Sequence, residues 1–146
     1  MNKSETEPRL LIPQLKPFYE FVRPLSWTLV RLTAALILLP IGWVKVTGDF
    51  GKVVASMTKW GIVLAEPMAA VVVINETLGA ICVALGLFTR FFAASISIEM
   101  GVLVYLMHTG GFNAYRYSLF WCLIMLAIAL RGGGPWSLDR LIGREL

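Results

Sequence analysis

The stretch from Met68 to Leu87, MAAVVVINETLGAICVALGL, is apolar and free of proline, and one carboxylate, Glu76, interrupts its middle. A helix rises 1.5 Å per residue, so about 20 residues cover the roughly 30 Å hydrocarbon core of a bilayer. The stretch is therefore predicted to be a transmembrane helix. An ionisable group at that depth faces protein or trapped water rather than lipid. Gly79 and Ala80 lie three and four residues beyond Glu76, with Val83 and Gly86 further along. The acid thus shares a face with small residues that let another backbone come close.

The rest of the chain fits that environment. Of 146 residues, 58% are hydrophobic and only 15% charged, and the mean hydropathy is +0.74, too apolar for a soluble domain of this size. A multi-pass membrane protein is the consequence. The net charge of +4 comes from basic residues placed singly between apolar runs, a pattern that orients membrane helices and argues against nucleic acid as a partner.

Taken in order, residues 1–24 form a polar, then mixed tail in which Pro13, Pro17 and Pro24 argue against one long helix. No uninterrupted apolar core precedes a small-residue cleavage site, so the tail is not expected to be a signal peptide. It is expected to lie along the membrane surface, anchored by Phe18, Tyr19 and Phe21. The first span is predicted over about 25–46, where a stripe at helical spacing carries Arg31, Ala34, Ala35, Leu38, Gly42 and Lys45. Lys45 is placed to snorkel to an interface. Arg31 lies about 9 Å inside the span, deep enough to call for a protein partner.

Between the first two spans, Phe50, Val53, Val54, Met57 and Trp60 recur at helical intervals with Lys52 and Lys59 elsewhere, as in a short amphipathic helix lying in the interface. The second span, 68–87, and the third, 91–107, are joined by a Thr89-Arg90 turn and should pack antiparallel. Glu99 then falls at nearly the depth of Glu76, which permits the two acids to meet. Ala93, Ser97 and Gly101 make a small-residue stripe on the far side of the third span, so that helix should have neighbours on two sides. The fourth span, 117–130, lies between Arg116 and Arg131, both of which must snorkel if its 14 residues are to cross. In residues 132–146 the glycines end that helix, and Ser137 can cap a short C-terminal surface helix.

The expected fold is thus all-α: a four-helix membrane bundle over 25–131 with a short interfacial helix after the first span and a short C-terminal helix. Gly42, Gly79, Ala80, Gly86, Ser97 and Gly101 are the candidate helix-packing residues. Lys3, Arg9, Lys16, Arg23, Arg90, Arg131, Arg140 and Arg144 fall on one side, against Lys45, Lys52, Lys59 and Arg116 on the other. Both termini are expected in the cytoplasm.

Several short motifs now stand in order: Arg31, Gly42-Trp-Val-Lys45, Glu76-Thr-Leu-Gly79, Gly86-Leu-Phe-Thr89-Arg90, and Gly132-Gly-Gly-Pro-Trp-Ser-Leu-Asp139. Over about 29–139 they resemble the DoxX family of small four-span bacterial and archaeal membrane proteins. Glu76 is followed by Leu78-Gly79-Ala80 where that family often has paired glycines. The resemblance implies a bacterial or archaeal cytoplasmic (inner) membrane location. It also implies an accessory or membrane-anchor subunit of a redox complex, with soluble or membrane partners and a quinone as the cofactor it admits.

The residues themselves narrow the chemistry. Cys82 and Cys122 sit in separate spans near opposite ends, so a dithiol within one chain is disfavoured and small-hydrophobe roles are expected. His108 is the sole histidine and is read as a turn residue; neither haem nor a metal site is signalled, and no self-contained catalytic motif appears. What remains is a buried polar cluster of Glu76, Arg31, Glu99 and Lys45 that could bind ligand, relay protons or form ion pairs. Two nearby carboxylates need a cation or a shared proton, and Arg31 is the expected cation for Glu76. The competing functional classes are a structural subunit packed against a larger membrane complex and a homo-oligomeric pore or proton-coupled carrier using Glu76 and Glu99. The charge asymmetry predicts that cysteines introduced near residues 5 and 143 label only from the cytoplasm and one near residue 56 only from outside. Opposite sidedness of the two termini, in an impermeant-maleimide assay on intact cells, contradicts it.

Overall fold

The structure is a computed structural model, and it describes residues 12–143. A 3-10 turn, Pro13–Leu15, leads into helix α1 (Lys16–Val44), followed by α2 (Phe50–Lys59), α3 (Ala65–Ile74), α4 (Ala80–Leu85), α5 (Thr89–Met107), α6 (Phe112–Arg131) and α7 (Leu138–Ile142). Two π-helical segments interrupt this series, Lys45–Asp49 after α1 and Asn75–Gly79 between α3 and α4. Four helical stretches are long and apolar enough to cross a membrane: Pro13–Gly48, Ala65–Leu85, Thr89–Gly110 and Phe112–Arg131. The architecture is all-α and the chain is a multi-pass membrane protein.

The first helix starts well before residue 25, because its prolines do not break it. Pro17 sits in the first turn, where no backbone N–H is needed. Pro24 removes one bond, to the carbonyl of exposed Glu20, and Thr28 Oγ1 donates to the Pro24 carbonyl at 3.1 Å. The fourth span, α6, is also longer than the 117–130 expected from its flanking arginines. Gly111, at φ +81°, lets it begin at Phe112, and its 20 residues reach about 30 Å. Arg116 lies inside it with its guanidinium 5.3 Å from the Tyr117 ring centroid.

Packing follows the small-residue stripes. The buried positions of α1 are Thr28, Arg31, Ala34, Ala35, Leu38 and Gly42, spaced by three and four. Lipid tails are as apolar as leucine, so close fit rather than apolar burial holds membrane helices together. Ala34, Ala35, Ala80 and Ala93 accordingly line the core with Leu38, Val83, Ile96, Met100, Met125 and Ile128. The α5–α6 hairpin is the most extensive helix pair, and α1 lies along α4. Ser97 faces α6, where its Oγ donates to the Cys122 carbonyl at 2.9 Å, and a Cβ on Gly101 would lie 3.6 Å from Cys122 Sγ. At Gly42 a Cβ would stand 2.5 Å from the Glu76 carbonyl carbon and oxygen, so only glycine admits the second span this closely. Large apolar side chains such as Leu36, Trp43, Phe91, Ile98 and Leu130 point outward, as a lipid-facing surface requires.

Candidate functional site: two polar clusters in the bundle

The first cluster is built on the two π-helical segments. Lys45 opens one and Asn75 and Glu76 open the other. Successive residues of a helix point about 100° apart, so adjacent side chains can face different neighbours. Glu76 turns to α1 and pairs with the Lys45 ammonium, while Asn75 turns to α5 and its Nδ2 donates to Glu99 Oε2 at 3.0 Å. Ser95, one turn before Glu99, donates from Oγ to Asn75 Oδ1 at 3.1 Å. That bond fixes the amide so that its NH2 meets the carboxylate. The Lys45 side chain keeps 27% exposure while that of Glu76 keeps 3%, so the pair is anchored in protein at its acidic end and reaches toward the surface at its basic end. Glu99 Oε1 is buried with no hydrogen-bond partner among the described residues.

The second cluster lies where α1, the turn between α4 and α5, and the loop after α6 meet. Arg31, 2% exposed, donates from Nη1 to the Gly133 carbonyl and from Nη2 to the Trp136 carbonyl, both at 2.8 Å. Asp139, 3% exposed, accepts from the backbone N–H of Phe88 at 2.7 Å on Oδ1 and from both N–H and Oγ1 of Thr89 at 3.0 and 2.8 Å on Oδ2. It caps α5 from fifty residues away, satisfying amides a helix start leaves open. Arg31 and Asp139 bring opposite charges to this knot through the loop they share, without a direct ion pair among the described residues. Gly86, at φ +74°, ends α4 and its carbonyl accepts from Asp139 N–H at 2.8 Å. A Cβ there would lie 2.0 Å from Arg31 Nη1.

The four charged residues predicted to share an interior are therefore divided. Lys45, Glu76 and Glu99 come together; Arg31 does not join them, and the cation beside Glu76 is Lys45. The reason is helical register: Arg31 and Lys45 lie on one stripe but 14 residues apart, about 21 Å along α1. Gly79 packs near the Phe92 and Ile96 side chains. His108 is exposed in the His108–Gly110 turn, with Nδ1 against the Tyr105 carbonyl and its ring stacked on Tyr105. Cys82 is buried and Cys122 half-buried, and both are free thiols. Among the described residues no group of three or more His, Cys, Asp or Glu side chains is placed to hold a metal ion. Lys3, Arg9 and Arg144 of the charge count lie outside the described residues.

The sequence did not single out Asn75 or Ser95, and it marked Thr89 and Asp139 only as motif residues, without the cap that joins them. Two signals were legible: Ser95 is one helical turn from Glu99, and an acid stands two residues past the Ser137 cap.

The sequence model of the DoxX family matches residues 26–109, more than half of the chain. The chain belongs to the DoxX family. The match covers Arg31, both π-helical segments and the Gly86–Thr89 turn. An uncharacterized protein of Haemophilus influenzae is 29% identical over 128 residues, covering 82% of this chain and 92% of that relative. No solved structure matches. In this DoxX protein the Asp139 carboxylate and the Arg31 guanidinium tie segment 86–90, within the family match, to segment 132–139, beyond it.

The unequal burial of the first pair gives a directional prediction. Lys45→Met strands a buried carboxylate and should destabilise the protein by about 3 kcal/mol, whereas Glu76→Leu frees a lysine that can reach the surface and should cost less. The double variant should lie within about 1 kcal/mol of wild type. Unfolding in mixed micelles measures the cycle, and additive effects, with coupling below about 0.5 kcal/mol, contradict the pairing.

Proposed function

We propose that this DoxX protein is an accessory, membrane-anchoring subunit of a redox complex in the cytoplasmic membrane, with both termini in the cytoplasm. The observation that carries the reading is the layer of Ala35, Leu38, Val83, Ile96 and Met125, all at most 1% exposed, between the two polar clusters. A pore or carrier within one chain needs polar groups along a continuous path, and an ion cannot cross such a layer cheaply. Each cluster is instead held mainly by partners within the chain, Arg31 by two backbone carbonyls and Glu76 by Lys45, with Arg31 Nε and Glu99 Oε1 left unpartnered among the described residues. This favours a subunit that supports partners over one that transports by itself.

The Lys45–Glu76–Asn75–Glu99 cluster is then the place for a polar contact from outside the chain. Lys45 reaches toward the surface, and Glu99 Oε1 offers an acceptor. A quinone-linked role, suggested by the family resemblance, requires such a donor and acceptor near an interface. π-Helical segments at both sides of the cluster support a site there, since they occur often at functional positions.

Purification of the full chain in native nanodiscs should recover protein partners, and lipophilic extraction should recover a quinone that is lost in Glu99→Gln. A homogeneous chain with neither overturns the accessory-subunit reading. Proton or solute flux by the purified chain alone in proteoliposomes, abolished by the same substitution, establishes the carrier instead.

A further inference from the structure

The four long helices do not close evenly. Whereas α5 and α6 pack along their length, α1 and α6 touch little, and a groove of about 280 Å³ runs between them. Val30, Ala34 and Ile37 line it from α1, and Ile124, Trp121 and Phe120 from α6, so its walls are apolar. The α1 row steps by four and three, and Phe120 and Trp121 lie four and three residues from Ile124, so each row follows one stripe of its helix.

Those stripes end on a cation. Three residues before Val30 on α1 is Trp27, and seven residues after Ile124 on α6 is Arg131. The Arg131 guanidinium lies 4.4 Å from the Trp27 ring centroid, and Trp27 Nε1 donates to the Gly132 carbonyl at 3.0 Å. The indole is thus tied to the backbone beside Arg131, and its face holds the guanidinium at the groove's end. Arg131 is exposed and pairs with no carboxylate among the described residues. From Trp27 to Ile37 the helix rises about 15 Å, half of a roughly 30 Å hydrocarbon core. The lining itself runs from Leu29 to Ile37, about 12 Å along α1, and the Arg131 guanidinium on Trp27 adds a positive charge just beyond it, so that groove and cation together span about one leaflet.

We propose that this groove is a binding site for one anionic phospholipid, with its phosphate on Arg131 and one acyl chain between α1 and α6. The apolar walls match an alkyl chain, the distance from Ile37 down to the cation on Trp27 matches a leaflet, and the cation selects against zwitterionic headgroups of no net charge. This site stands apart from the Lys45–Glu76–Glu99 cluster and does not depend on the redox reading.

The test uses the full chain in phosphatidylcholine nanodiscs with a trace of phosphatidylglycerol carrying a diazirine midway along one acyl chain. Photolabel should concentrate on residues 30–37 and 120–124 over the equally outward Ile98 and Val102 of α5. Excess phosphatidylglycerol should compete it away and phosphatidylcholine should not. Arg131→Gln should reduce groove labelling about fivefold, the effect of one basic side chain near an anionic headgroup. Thr33→Trp, which narrows the groove without touching the cation, should remove the label while leaving helicity by circular dichroism unchanged. Even labelling of the groove and of Ile98 and Val102 overturns the proposal, as does equal labelling by a matching phosphatidylcholine probe. No groove label because another protein's helix fills the space also overturns it. The comparison of the two probes on the wild-type chain stands alone should either variant fail to fold.

Discussion

A helix that starts inside a protein leaves its first amides without partners, and α5 starts at Thr89, which is fully buried. The approach to it is also strained, because Phe88 takes φ +47°, a left-handed conformation disfavoured for a residue with a side chain. One carboxylate, that of Asp139, accepts from both the Phe88 and Thr89 amides and so offsets the strain and the open helix end together. Asp139 is itself buried, and Arg31, of opposite charge, binds the same loop. Arg31 in turn holds the carbonyls of the loop that carries Asp139 into place. The first, second, third and fourth spans are all fixed at one end of the bundle through this set of contacts.

The same logic governs the other polar cluster. Glu76 is tolerable within the bundle because Lys45 neutralises it, and Gly42 is what brings α1 close enough for the two to meet. Asn75 extends the contact to α5. With most of the buried charge at both places held by short-range partners, the space between is packed with alanine, valine, isoleucine and methionine. That arrangement suits a stable membrane module that presents surfaces and a polar site to others. It leaves Glu99 as the incompletely satisfied group in the first cluster and the α1–α6 seam as the loosest part of the bundle.

Much of this was legible in the chain itself. Runs of about 20 apolar residues gave the spans, and spacing by three and four put Arg31, Leu38, Gly42 and Lys45 on one buried stripe. The depths of Glu76 and Glu99 were readable from helical rise. Which cation meets Glu76 was not, because the choice between Arg31 and Lys45 depends on how far α1 slides along the second span, a tertiary quantity. The helix starts at Lys16 and Phe112 were hidden for a different reason. Proline and arginine weigh against a helix locally, yet a first turn, an exposed turn and a guanidinium laid on Tyr117 each accommodate them. Asp139 as a cap for α5 lies fifty residues from the amides it binds, and no local pattern reports such a pairing.

The two polar clusters hold the bundle independently of each other, and Asp139 is central to one of them. Amide hydrogen exchange on Asp139→Ala in nanodiscs, followed by mass spectrometry, tests this most directly. Protection should fall together in residues 86–92 and 132–139, with loss of at least about 2 kcal/mol of local stability, as for removal of a strong cap. Residues 42–48 and 72–79, around Lys45 and Glu76, should keep their protection. Unchanged exchange at residues 86–92, or an equal loss of protection at both clusters, contradicts the account.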